Sequence, residues 1–111
     1  RKARKMAQRR LAEAKKFLDQ KKKEDFYTEI SRALWGYMGD KLSLAPSELS
    51  INAVRESLTS RGVAEETIGK LVSTIERCEF ARFAPSSDST MMDSFYNETV
   101  ELVSTIEDEV R

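Results

Sequence analysis

Hydrophobic positions recur at helical spacing in five separate segments of the chain. In the first, Ala7, Leu11, Ala14 and Leu18 share one side, with Met6 and Phe17 beside them and a Lys/Arg-rich face opposite. That stripe is narrow. Propensity alone seldom holds a short helix in water, so this segment depends on packing. The second segment carries a broad stripe, Phe26, Ile30, Ala33, Leu34, Tyr37 and Met38, wide enough to seal a core. Residues 19–24 between them interrupt the apolar pattern without a Gly or Pro, and Asp25 is a candidate N-cap for the second helix. An antiparallel hairpin is favoured over one continuous helix of about forty residues, which would far exceed the usual length.

Leu44-Ala-Pro46-Ser47 signals a loop, because Pro46 disfavours helix at Ala45. Ser50 is then placed to cap a short third helix bearing Ile51, Val54 and Leu58, and Gly62 to end it in the left-handed region. A fourth helix follows Val63 with Ile68, Leu71, Val72 and Ile75 on one face, although Ala64 stands where a capping side chain is expected. Ala84-Pro85-Ser86-Ser87 is the next break. Thr90 with Asp93 resembles a capping box and Ser89 is an equally good cap. The fifth helix presents Met92, Phe95, Tyr96, Val100, Val103, Ile106 and Val110. Its last turn holds Glu107, Asp108 and Glu109, the wrong sign for a helix C-terminus, which predicts fraying there. The pattern predicts an all-α fold: a small bundle of about five helices, an N-terminal helical hairpin followed by three more. The expected core is Phe26, Ile30, Leu34, Leu71, Val72, Ile75, Phe95, Val103 and Ile106.

A chain of 111 residues suffices for one domain with a modest core. Four Gly and two Pro are too few for a sheet built on tight turns. No apolar run is long enough to span a bilayer, and no secretory pattern opens the sequence. The first residue is Arg1 rather than Met, which predicts that the chain is cut from a longer protein.

Charge changes the picture more than composition does. The formal net charge is zero, yet residues 1–23 hold eleven Lys/Arg against Glu13 and Asp19, a net of 11 − 2 = +9. Residues 24–111 hold eight against seventeen acids, 8 − 17 = −9. The chain therefore divides into a basic first helix, 1–23, packed on an acidic helical bundle, 24–111. Such asymmetry points to different surroundings for the two parts. The basic arm is open to three readings: contact with nucleic acid, contact with anionic lipid, or a solvated helix face.

Parts for catalysis are few. There is no His, which removes the commonest general base and most transition-metal sites. Cys78 is the single cysteine, so no internal disulfide forms; it is a small buried thiol or, with no base beside it in sequence, a poorly equipped nucleophile. Glu65, Glu66, Glu76 and Glu79 are spread as solvated helix faces are. No phosphate-cradling loop, EF-hand or zinc spacing occurs. The expectation is a non-enzyme without cofactors or metals.

Two places invite partner contact. Arg82 falls near the direction of Ile75 on the apolar side of its helix, whereas Phe80 falls well off that side. Arg82 either snorkels past the helix end, forms a structural ion pair, or meets a partner. Gly36, interior to a helix, costs about 1 kcal/mol relative to Ala and marks close approach by another element. Trp35 beside it either packs on a second surface or stands open as an interface anchor.

Ala33-Leu-Trp-Gly-Tyr37, then Asp40-Lys-Leu42, Arg61-Gly-Val63 and Cys78-Glu-Phe-Ala-Arg-Phe-Ala-Pro-Ser86, together resemble the C-terminal cytoplasmic tail of BatD-type proteins, the bacterial aerotolerance or oxygen-tolerance membrane proteins. The resemblance spans nearly the whole chain in order and spacing. It implies a secretion signal, a periplasmic region of β-sandwich-like modules and one transmembrane helix ahead of this tail, on the cytoplasmic side of the bacterial inner membrane. The +9 segment would then follow the membrane helix, where Lys and Arg concentrate. It also implies partners from the same operon, a MoxR-type AAA+ ATPase and von Willebrand A domain membrane proteins, whose complex the tail would help to assemble, with no enzymatic activity carried over.

The expected function is accordingly a non-catalytic protein-interaction domain. Trp35, Tyr37, Phe80, Arg82 and Phe83 are its candidate partner-binding residues. Arg4, Lys5, Arg9, Arg10, Lys15 and Lys16 are the candidates for an anionic membrane surface, with homo-oligomerisation left open. The alternative is nucleic-acid binding through the basic helix, set against the acidic body that would repel phosphates. The basic stripe further predicts that, away from a membrane, the first helix frays or stands off the bundle.

Overall fold

A computed structural model describes residues 2–83 and 89–111, and these form five α-helices with no β-strand among them. They are α1 (Lys2–Asp19), α2 (Lys23–Leu42), α3 (Ile51–Ser60), α4 (Glu65–Phe83) and α5 (Ser89–Glu109), with a 3₁₀ turn at Pro46–Glu48. The expected break at 84–87 lies outside the described residues.

α1 and α2 form the antiparallel hairpin that the sequence predicts. The turn closes by backbone alone: Lys22 N–H donates to the Phe17 carbonyl at 2.9 Å and Lys21 N–H to Leu18 at 3.0 Å. This is a Schellman arrangement in which Lys21, at φ 59°, occupies the left-handed position usually given to Gly. Asp25 is not the N-cap of α2. The helix begins two residues earlier, which leaves Glu24 and Asp25 in its first turn, where negative charge suits the helix dipole.

The basic helix does not fray or stand away. α1 packs along its whole length on α2 and also meets α5, burying Ala3, Ala7, Leu11, Ala14 and Leu18. The narrow stripe suffices because three of its five side chains are Ala, which let two helix axes approach closely while steps of three and four residues keep the seam facing the partner. α2 is the central element, contacting all four other helices. That explains its broad buried arc from Phe26 to Leu42. Phe26, Tyr27 and Phe95 meet edge to face, with centroids 4.9 to 6.5 Å apart.

Eight of the nine expected core residues are buried; Val72 sits at the rim, half-buried. On α5 the inward position assigned to Val100 belongs instead to Thr99, which is fully buried while Val100 is 41% exposed. A hydroxyl can lie there because Thr99 Oγ1 donates to the Phe95 carbonyl at 2.9 Å, so no polar atom is left without a partner. Ser50 caps α3, its Oγ accepting the Ala53 N–H at 3.0 Å. Gly62 follows that helix at φ 87°, as expected. The start of α5 at Ser89 places Thr90 inside the first turn rather than ahead of it.

Candidate functional site

The candidate partner-binding residues separate into two groups. Tyr37 is in the core, 1% exposed, and its hydroxyl donates to Glu107. Burial, and then the bond to Glu107, push its pKa upward, so the phenol stays protonated and committed to that carboxylate. Tyr37 is therefore structural. Trp35 is half-buried and packed against the core cluster. Its neighbour Gly36 receives α1: a Cβ there would lie 3.5 Å from Arg10 Nε, an ordinary contact.

The other group is open. Phe80 is 79% and Phe83 71% exposed at the last turns of α4. Arg82 lies between them, its guanidinium carbon 4.9 Å from the Phe83 centroid and its Nη1 3.5 Å from Glu79. The Arg82 Nε is buried and meets no hydrogen-bond partner among the described residues. Arg82 thus turns along the end of its helix into an exposed ion pair and a ring face, while Phe80 projects away from the core as its helical angle predicts. Cys78, one turn earlier, is fully buried. Burial, then the charge of Glu79, pushes its thiol up to about 12, so the nucleophilic thiolate is scarce at neutral pH.

On α1 all six basic candidates, Arg4, Lys5, Arg9, Arg10, Lys15 and Lys16, are exposed. Lys16 pairs with Glu13 at 2.9 Å, and Lys15 Nζ lies 5.2 Å from the Tyr96 ring centroid.

Features that the sequence does not announce lie at the opposite ends of α4 and α5. Lys41 Nζ stands 3.0 Å from the Glu107 oxygen that accepts from Tyr37. Burial disfavours charge on Glu107, but the Tyr37 and Lys41 hydrogen bonds and the Lys41 ammonium outweigh it and hold the carboxyl below the usual carboxylate range. Glu109 accepts the Ala64 N–H at 3.0 Å and the Thr67 hydroxyl at 3.1 Å, satisfying an open backbone donor at a helix start where Ala64 has no side chain to cap. Arg61 donates through Nε to the Arg111 carbonyl and through Nη1 to the Lys41 carbonyl, each at 2.8 Å, and Arg111 N–H returns a bond to the Arg61 carbonyl. The end of α5 is therefore held at three points and does not fray. The signal was present in two defects that complement each other: an uncapped helix start and an acidic helix end.

Between α4 and α5 runs an open groove of about 510 Å³, lined in part by Gly69, Ser73, Thr74 and Leu102 and bridged by Arg77 and Glu98 at 3.0 Å. Its hydroxyl Thr74 Oγ1 already donates to the Lys70 carbonyl. Among the described residues, no group of three or more Cys, Asp or Glu side chains could hold a metal ion, and no helix is long and apolar enough to cross a membrane. Comparison of the chain with protein-family models, curated proteins and solved structures yields no match.

Proposed function

We propose that the chain is a non-catalytic protein-interaction domain, in the role that its resemblance to BatD-type tails implies: a cytoplasmic, membrane-anchored module that helps to assemble a MoxR-type ATPase with von Willebrand A domain proteins. The observation that carries this reading is the exposure of Phe80 and Phe83. Both fall in Cys78-Glu-Phe-Ala-Arg-Phe-Ala-Pro-Ser86, the most distinctive part of the resemblance, where Cys78 is buried in the core and Ala81 packs against it. Two phenyl rings left this open within one turn of a helix, with an Arg between them, are the side chains that anchor interfaces.

The test is co-purification of the tail with the ATPase and the von Willebrand A proteins, from soluble and detergent extracts, using the native chain and Phe80→Ser/Phe83→Ser. Recovery by the native chain and loss in the double variant is expected. Failure of the native chain to retain any of these proteins overturns the reading. Nucleic-acid binding through α1 stays a second reading on the strength of its six exposed basic side chains, and it is separated from lipid binding by the experiment below.

A further inference from the structure

The described residues place the basic helix on one side of the bundle. α1 packs on α2 and α5, whereas α3 packs on α2 and α4, so the charge division along the chain is also a division in space. Residues 2–12 hold five Lys/Arg and no acid. At 100° per residue, the buried stripe of Ala3, Ala7, Leu11, Ala14 and Leu18 centres on one direction. Lys5, Arg9 and Lys16 point within about 20° of the opposite one by the same geometry. Arg4 and Lys15 reach toward the α5 side, where Lys15 meets Tyr96, and Arg10 toward α2 at Gly36. Lys16 is offset by Glu13. The outermost line of α1 is therefore a positive ridge led by Lys5 and Arg9 and continued by Lys16, running about 16 Å from residue 5 to residue 16, with Arg4 and Arg10 on the flanks of the helix nearer its neighbours.

We propose that this ridge lies flat on an anionic lipid bilayer, with α1 against the headgroups and α3 and α4 turned away. Two observations favour lipid over nucleic acid. α1 is seated between α2 and α5 and offers only its outer strip, whereas a helix that reads a groove must stand clear of the body behind it. The one aromatic residue on α1, Phe17, is half-buried, so no ring is available for stacking on bases. The −9 remainder of the chain is repelled by the same surface and so fixes which side faces it. Screening confines both effects to about 10 Å at ordinary ionic strength, so only the α1 side binds. The proposal shares with the preceding one a location at a membrane, and its test involves no protein partner, so each can fail alone.

Sedimentation with phosphatidylglycerol vesicles, with phosphatidylcholine vesicles as the uncharged arm, measures it. A basic residue held at an anionic leaflet multiplies affinity about fivefold. Lys5→Gln/Arg9→Gln should therefore weaken binding about twenty-five-fold by that measure, and the charge-keeping pair Lys5→Arg/Arg9→Lys should retain it. Arg55→Gln/Lys70→Gln, which removes the same charge from exposed positions on α3 and α4, should leave it nearly intact. Absence of binding to phosphatidylglycerol at low salt overturns the proposal, as does equal loss in the two neutralised pairs. So does binding to duplex DNA through Lys5 and Arg9 without binding to vesicles.

Discussion

Leu34 shows what a single residue contributes. It is fully buried in α2, the helix that each of the other four α-helices touches. Leu34→Ala removes apolar contact and leaves a cavity, so it should lower stability by about 2–5 kcal/mol, read as a shifted denaturant midpoint at unchanged slope; an unshifted midpoint would place Leu34 on another face. Lys21 is the opposite case, a residue whose backbone works against it. At φ 59° a Cβ is crowded by the carbonyl that follows, and Gly is not. Lys21→Gly relieves about 1–2 kcal/mol of left-handed strain against an entropy loss of about 0.5–1 kcal/mol, so it should raise stability by roughly 0.5–1 kcal/mol in the same unfolding experiment. The sequence shows that the apolar pattern breaks at residues 19–24 and favours a turn there, but not which lysine takes the left-handed position, because no Gly marks it.

Among the elements, α4 depends most on others. Its first turn has no capping side chain of its own and is completed by Glu109 from the end of α5. Glu109→Ala should cost about 1 kcal/mol, the worth of a helix N-cap, and amide exchange at Ala64 should quicken more than at the α4 centre. A loss spread evenly over the bundle would mean that the contact is not a cap. The helices themselves were legible because apolar period, proline breaks and local caps such as Ser50 and Gly62 are encoded within a few residues. The Glu109 cap was not, since 45 residues separate donor from acceptor. The docking of α1 was misread for a related reason: an alanine stripe is thin as hydrophobicity but ideal as geometry. Of the candidate interaction residues, the exposure of Phe80 and of the α1 cations was legible from helical angle, whereas Phe83 falls near the angle of Val72 and its exposure was not. Tyr37 was not, because its destination is a carboxylate 70 positions away.

For the whole molecule, the Tyr37–Glu107–Lys41 cluster ties stability to pH. The folded pKa of Glu107 is depressed despite burial, through Tyr37 and Lys41, so its contribution is fully present above the unfolded value, near 4.3, and is lost as pH falls through the lower folded value. Glu107→Gln should therefore destabilise the protein at pH 7 and bring the native and variant midpoints closer together below about pH 4. A gap independent of pH would show that the cluster acts by shape and not by charge.

The three ties at the end of α5 also set an order of events in time. The α1–α2 hairpin joins neighbours in sequence and can close as soon as both helices exist. Ala64, Thr67, Arg61 and Tyr37 instead wait for Glu107, Glu109 and Arg111, which lie 42 to 70 residues later. On a ribosome synthesising about 5–20 residues each second, α4 would emerge with its first turn incomplete and remain so for seconds, until the residues that finish it are made. The hairpin is then the early scaffold, and the acidic end of α5 closes the fold.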